Sequence, residues 1–183
     1  DLMFACVAGT LKDFGLNPKN LGAHIGITAI LHTHNRRLDY HPHIHVVVPG
    51  GGVDKERKQW KKKKAKYLFN AFALAKVFRA RLLQALNKEG LHTPQSVPPK
   101  WVVHCTHVGK GLSALKYLSR YLYRGVLPEN NIVSTINGNV TFRYVDSRTG
   151  KTRYRTLEGE DFLWLLLQHV LPKAFRRVRD YGF

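Results

Sequence analysis

Apolar and polar positions follow two rhythms along this chain. Residues 25–34, IGITAILHTH, and 43–49, HIHVVVP, are β-branched, apolar stretches that read as strands, with histidines recurring at every second position over 41–45. Between them NRRLDYHP is polar enough to turn the chain, so the two stretches read as a β-hairpin. Residues 1–14 read as a helix stopped by Gly15. NAFALAKVFRARLLQALNKEG (70–90) predicts an amphipathic helix with Asn70 as N-cap and Gly90 as stop. LSALKYLSRYLYRG (112–125) predicts another, closed by Gly125 and Pro128.

Shorter signals fill the rest. WVVHCTH (101–107) reads as a strand, and two further strands are expected near 139–145 and 151–156, joined by the turn DSRTGK. EDFLWLLLQHVLP and then KAFRRVRDYGF predict a closing helix that becomes basic. Gly50–Gly52 should break the chain and allow a close backbone approach. The lysine-rich run at 54–66 reads as a solvated or DNA-facing loop. Helices interspersed with hairpin-joined strands predict an α+β fold, taken as one domain over 1–183.

Composition narrows the class. The chain has 183 residues, 44% of them apolar, which is enough for a packed core. Its longest apolar run, FLWLLL at 162–167, is far short of the ~20 residues that span a bilayer. The chain opens on Asp1 without a basic leader, which reads as no signal peptide. Two cysteines make neither a disulfide framework nor a zinc ribbon, so a reducing, cytoplasmic setting is expected. Charge adds most: 30 Lys+Arg against 12 Asp+Glu give a formal +18, the balance of a protein that meets a polyanion. Charge leaves open whether that partner is cut, carried or packaged.

Candidate chemistry lies in two places. On a strand His41, His43 and His45 share one face, with Ile44, Val46 and Val48 on the other. The preceding strand ends in His32 and His34. A register placing His34 opposite His43 also places His32 opposite His45, close enough for several imidazoles to meet one cation. A polar strand face, a structural zinc site and an open catalytic metal site remain alternative readings. On the 112–125 helix, Tyr117, Arg120, Tyr121 and Arg124 fall on one face, and Leu115, Leu118 and Leu122 on the opposite one. Tyr123 lies off that face. A phenol with a pKa of about 10 is a poor nucleophile at neutral pH unless a cation or a metal assists it. Further DNA contacts are expected at Lys61–Lys64, at Lys110 before the tyrosine helix, and at Arg176, Arg177 and Arg179 ending the last helix. Trp60 is a candidate for base stacking and Trp101 for burial.

LHTH (31–34), HPHIHVVVPGGG (41–52), YLSRYLYRG (117–125), GNVTFRYVD (138–146) and HVLPKAFRRVRDYGF (169–183), in that order, resemble the HUH two-tyrosine transposases of the insertion sequence 91 (IS-91) family. The resemblance implies an HUH-endonuclease-like fold, a central antiparallel sheet flanked by helices. It implies single-strand DNA cleavage and strand transfer through 5′-phosphotyrosine intermediates in rolling-circle transposition. Tyr117 and Tyr121 match the nucleophiles, and His43 and His45 the metal ligands. His32 is the expected third ligand, with His34 and His41 as alternates. The implied cofactor is Mg²⁺ or Mn²⁺. The implied partner is single-stranded DNA at transposon ends and target, in a bacterial cytoplasm at the nucleoid. Two departures stand out. The family's upstream cysteine-rich zinc segment and first strand are expected to be missing here, and His34 replaces a usual aromatic. Other readings are a replication initiator or relaxase of the same chemistry, and a non-catalytic nucleic-acid-binding domain.

Overall fold

A computed structural model describes residues 1–63, 68–93, 95–109, 111–122 and 125–182, without the side chains of Leu115, Leu118, Arg120, Tyr121 and Leu122. The elements run α1 (Leu2–Leu16), β1 (Ile27–His34), β2 (Tyr40–Val47), β3 (Gly51–Asp54), β4 (Gln59–Lys62), α2 (Ala71–Lys88), α3 (Leu112–Leu122), a 3₁₀ turn (Glu129–Asn131), β5 (Ile132–Ile136), β6 (Asn139–Val145), β7 (Thr152–Glu158), α4 (Gly159–Leu167) and β8 (Val178–Tyr181). The fold is α+β. Its strands form three sheets, ordered β2-β1-β8, β3-β4 and β5-β6-β7. The chain divides into two compact units, residues 1–29, 46–114 and 179–183, and residues 30–45 and 115–178.

In the first unit α1 packs on α2. Arg81 of α2 forms an ion pair with Asp13 of α1. Phe14 meets Phe69 edge-to-face, with ring centroids 5.8 Å apart. The predicted caps of α2 are present: the Asn70 side chain accepts from the Ala73 amide at 3.0 Å, and Gly90 takes φ +65°. Gly15 does not stop α1. The helix runs through it to Leu16, and glycine suits the position because any side chain would press on the Ala23 carbonyl and on Ile25, both about 3.1 Å from where a Cβ would lie.

The lysine-rich run is not simply a loop. Residues 51–54 and 59–62 pair antiparallel, Gly51 with Lys62 and Val53 with Trp60. Gly52 packs directly against the His24 backbone, where Val53 and His24 exchange hydrogen bonds of 2.7 and 2.9 Å, and no larger residue fits. Here the glycines permit pairing instead of breaking the chain. Conversely, 101–107 forms no strand: Val102 is 92% exposed and Trp101 leans on Phe78 of α2, so the apolar run has no sheet to join.

The second unit centres on the β5-β6-β7 meander covered by α4, with Phe142, Phe162 and Leu38 as its buried centre. The predicted strands β6 and β7 and their turn are present, with Asp146 accepting from the Arg148 and Thr149 amides. These two bonds hold the Asp146 carboxyl below the usual carboxylate pKa. Strand β5 went unpredicted although its turn is plain: Asn137 and Gly138 both have positive φ, as an Asn-Gly hairpin turn demands. The expected basic end of the last helix is also corrected. α4 ends at Leu167 and the chain leaves the helix before Pro172, which lacks the amide a further turn needs; residues 178–181 are strand β8 instead. Among the described residues no helix is long and apolar enough to cross a membrane.

Candidate functional site

The histidine hairpin is held by its tip. The connection 35–39 folds back through the Asn35 side chain, whose oxygen accepts from the Arg37 and Asp39 amides at 2.8 and 3.1 Å. This forces Leu38 into the left-handed region, φ +69°, a conformation that costs a bulky residue about 1–2 kcal/mol. The cost is offset by burial, since the Leu38 side chain is 1% exposed in the core with Phe142 and Phe162. Arg155 of β7 donates to the Asp39 carboxylate at 2.7 Å and to the Arg37 carbonyl, and Arg36 reaches the Val145 carbonyl at 3.3 Å. Partial burial alone would raise the Asp39 pKa; hydrogen bonds from Asn35 and Arg155 and the charges of Arg155 and Arg37 outweigh it and hold that pKa below its ordinary value.

From this tip the paired strands β1 and β2 carry the candidate metal centre. One nitrogen from each of His32, His43 and His45 lies within 4.8 Å of the other two. Ligand nitrogens ~2.1 Å from one ion sit at most about 4.2 Å apart, so a small side-chain rotation closes the group. His32 is buried, and His43 and His45 are half-buried. The His32 ring lies 4.8 Å from His45 and 5.5 Å from His43, edge-on to each. His43 Nδ1 lies 2.8 Å from the His41 carbonyl. A carbonyl only accepts, so Nδ1 carries the proton and Nε2 keeps a lone pair for a metal. Three neutral imidazoles with no carboxylate among them fit a divalent cation and leave coordination positions open.

His34 and His41 stay outside this group: His34 stacks parallel to His32 at 5.9 Å, and His41 is exposed beside His43 at 5.2 Å. Pro42 is tolerated because β2 is an edge strand. Sequence reasoning missed His169, which is buried behind the hairpin tip against Thr33 and the Leu38 carbonyl. Its signal was its position at the end of a strongly apolar run, LLLQHVLP.

Tyr117 is half-buried on α3, in the same unit as the histidines, with Arg120 and Tyr121 further along that helix. Lys64, Lys110, Tyr123 and Arg124 lie outside the described residues. Arg176 and Arg177 precede β8, with Arg177 at a bend whose carbonyl accepts from the Leu31 amide at 2.9 Å. Arg179 is engaged by the fold of the first unit: it pairs with Asp1 and lies over the Phe4 ring, 4.5 Å from its centroid. Lys61 and Lys62 are exposed on β4, as is Trp60.

Comparison with known proteins defines the class. A family described as "Putative transposase" matches residues 26–183, and the chain belongs to that family. It is 33% identical over its whole length to "Putative transposase y4qJ" of Sinorhizobium fredii (strain NBRC 101917 / NGR234), covering 52% of that protein. It is 30% identical, over 90% of its length, to the "Transposase for insertion sequence element IS801" of Pseudomonas savastanoi pv. phaseolicola, covering 44% of that protein. These relatives agree with the resemblance to IS-91-type transposases. The chain thus spans about half the length of the curated relatives it matches. No solved structure matches it.

Proposed function

We propose that this chain is the catalytic domain of a transposase that cuts and rejoins single-stranded DNA by tyrosine attack in rolling-circle transposition, its two units acting together. The observation that carries this reading is the convergence of His32, His43 and His45 within a transposase family. A divalent cation held by these three imidazoles would polarise the scissile phosphate. Imidazole favours Mn²⁺ over Mg²⁺, which prefers an oxygen shell.

The chain's own residues supply the rest. The Tyr117 or Tyr121 phenol oxygen bonds to phosphorus, and the bond from phosphorus to the 3′-oxygen breaks. The products are a 5′-phosphotyrosine and a 3′-hydroxyl, which receives the phenolic proton through solvent. Arg120 and Arg124 hold phosphate oxygens, and their positive charge favours the phenolate. A second tyrosine four residues away on one helix permits a second cleavage while the first link persists, so the phosphodiester energy is retained for joining to target DNA. Lys110, Arg176, Arg177 and Arg179 are proposed to add phosphate contacts, with Arg179 doing so only if it leaves Asp1. The setting is the bacterial cytoplasm, at the nucleoid.

The test is incubation of the protein with labelled single-stranded transposon-end DNA and Mn²⁺ on a denaturing gel. A metal-dependent covalent adduct, lost when both tyrosines are changed to Phe, is expected. No adduct with any divalent metal would overturn the reading.

A further inference from the structure

We infer that His169 is a positioning residue for the metal centre, fixing the register of the histidine hairpin; this rests on reading His32, His43 and His45 as ligands. His169 is 6% exposed and touches the hairpin at three points. Its Nε2 donates to the Leu38 carbonyl at 3.0 Å, at the tip. That bond fixes the proton on Nε2, so in the neutral ring Nδ1 accepts from the Thr33 hydroxyl at 3.1 Å, next to His32 on β1. Its ring also lies parallel to Tyr40, the first residue of β2, at 6.1 Å. Both nitrogens are thereby occupied, which distinguishes His169 from a further ligand.

Register is what such a residue can control. Side chains alternate on a strand, so a slip of one residue between β1 and β2 would turn His43 and His45 away from His32. β2 is an edge strand containing Pro42, which donates no hydrogen bond, so its own ladder fixes register weakly. The turn also depends on Leu38 keeping an unfavourable φ, and the His169 bond to its carbonyl holds that peptide in place. A second line of contact runs through the rings: His169 lies 5.2 Å from His34, which stacks on His32 within 6° of parallel.

The test compares wild type, His169→Leu, His169→Gln and Thr33→Val, each checked for fold by circular dichroism. Mn²⁺ affinity is read by electron paramagnetic resonance, and ligand geometry by the visible spectrum of bound Co²⁺. His169→Leu should weaken Mn²⁺ binding about 10–100-fold and alter the Co²⁺ spectrum. His169→Gln, which keeps a donor for Leu38, should recover most of the loss. Without metal, the amides of 35–40 should exchange with solvent faster in His169→Leu. Folded His169→Leu with wild-type exchange, affinity and spectrum would overturn the inference. If that variant does not fold, Thr33→Val decides: a several-fold loss of Mn²⁺ affinity supports the inference and an unchanged affinity overturns it. A wild type that binds no Mn²⁺ contradicts the metal reading itself, and the inference falls with it. Wild-type binding left intact by the substitutions contradicts only the role of His169.

Discussion

Two hairpins in this molecule use the same backbone device for opposite ends. Each turns on a residue in the left-handed region, Leu38 at φ +69° and Lys58 at φ +52°. Leu38 is buried in an aromatic core, its carbonyl is held by His169, and its neighbour Asp39 is clamped by Arg155. Lys58 is exposed, like every residue of β4 that follows it. The first hairpin converges three imidazoles, a task that needs placement within a fraction of an ångström. The second displays lysines, and long-range attraction to phosphate tolerates loose placement. On the proposed reading, precision is concentrated where the metal ligands would meet, while the root of the basic hairpin is held by the pairing of Val53 with His24.

Substitutions should separate the two hairpins. The largest effect is expected for His43→Ala, which should lower metal-dependent cleavage by about 100-fold or more while leaving the melting temperature near wild type. Next comes Leu38→Ala. Removing a 1%-exposed side chain should cost about 2–5 kcal/mol in urea unfolding, with weaker metal binding as the tip loosens. Gly52→Ala would force a methyl group against the His24 carbonyl, destabilising the root of the basic hairpin by about 1–3 kcal/mol with the metal affinity retained.

Smaller effects follow from charge. The Asp39 pKa is lowered in the fold, so its contribution is complete above the unfolded value of about 3.9 and fades as pH falls through the lower folded value. Protection of the amides at residues 35–40, measured against their intrinsic exchange rates, should therefore fall in acid below about pH 4, and Asp39→Asn should remove that step. Last, Lys61→Ala with Lys62→Ala should change stability by less than about 0.5 kcal/mol. The same pair should lower the salt dependence of single-stranded DNA binding by about 0.7 log units for each phosphate that is no longer neutralised. Weaker metal binding after Gly52→Ala or after the lysine substitutions would erase the distinction between the two hairpins.

Much of the candidate site could be read from residue spacing, because alternation on a strand determines a face without further context. Two periodic segments and a short connection imply that several of the five histidines meet; the choice of His32 over His34 and His41 rests on the family resemblance, and His32, His43 and His45 are the three that converge. What spacing hides is contact across the chain. The polar residues of NRRLDYHP mark a turn but give no sign that Leu38 anchors it in a core built about a hundred residues later. His169 is likewise 131 residues from the carbonyl it bonds. The strand expected at 101–107 failed for the converse reason: apolar alternation needs a neighbouring edge, and the sequence does not say whether one exists. Gly51 and Gly52 signalled close approach correctly, but not that the approaching groups, Trp60 and the His24 backbone, would make them part of a sheet.

Whether three imidazoles of one hairpin hold the same divalent ion can be measured. X-ray absorption of the Co²⁺-loaded protein counts them directly. Three imidazole nitrogens at about 2.1 Å are expected, with oxygen completing the shell, and one fewer in each of His32→Ala, His43→Ala and His45→Ala. A shell of oxygen alone, or one unchanged by these substitutions, would contradict such a site.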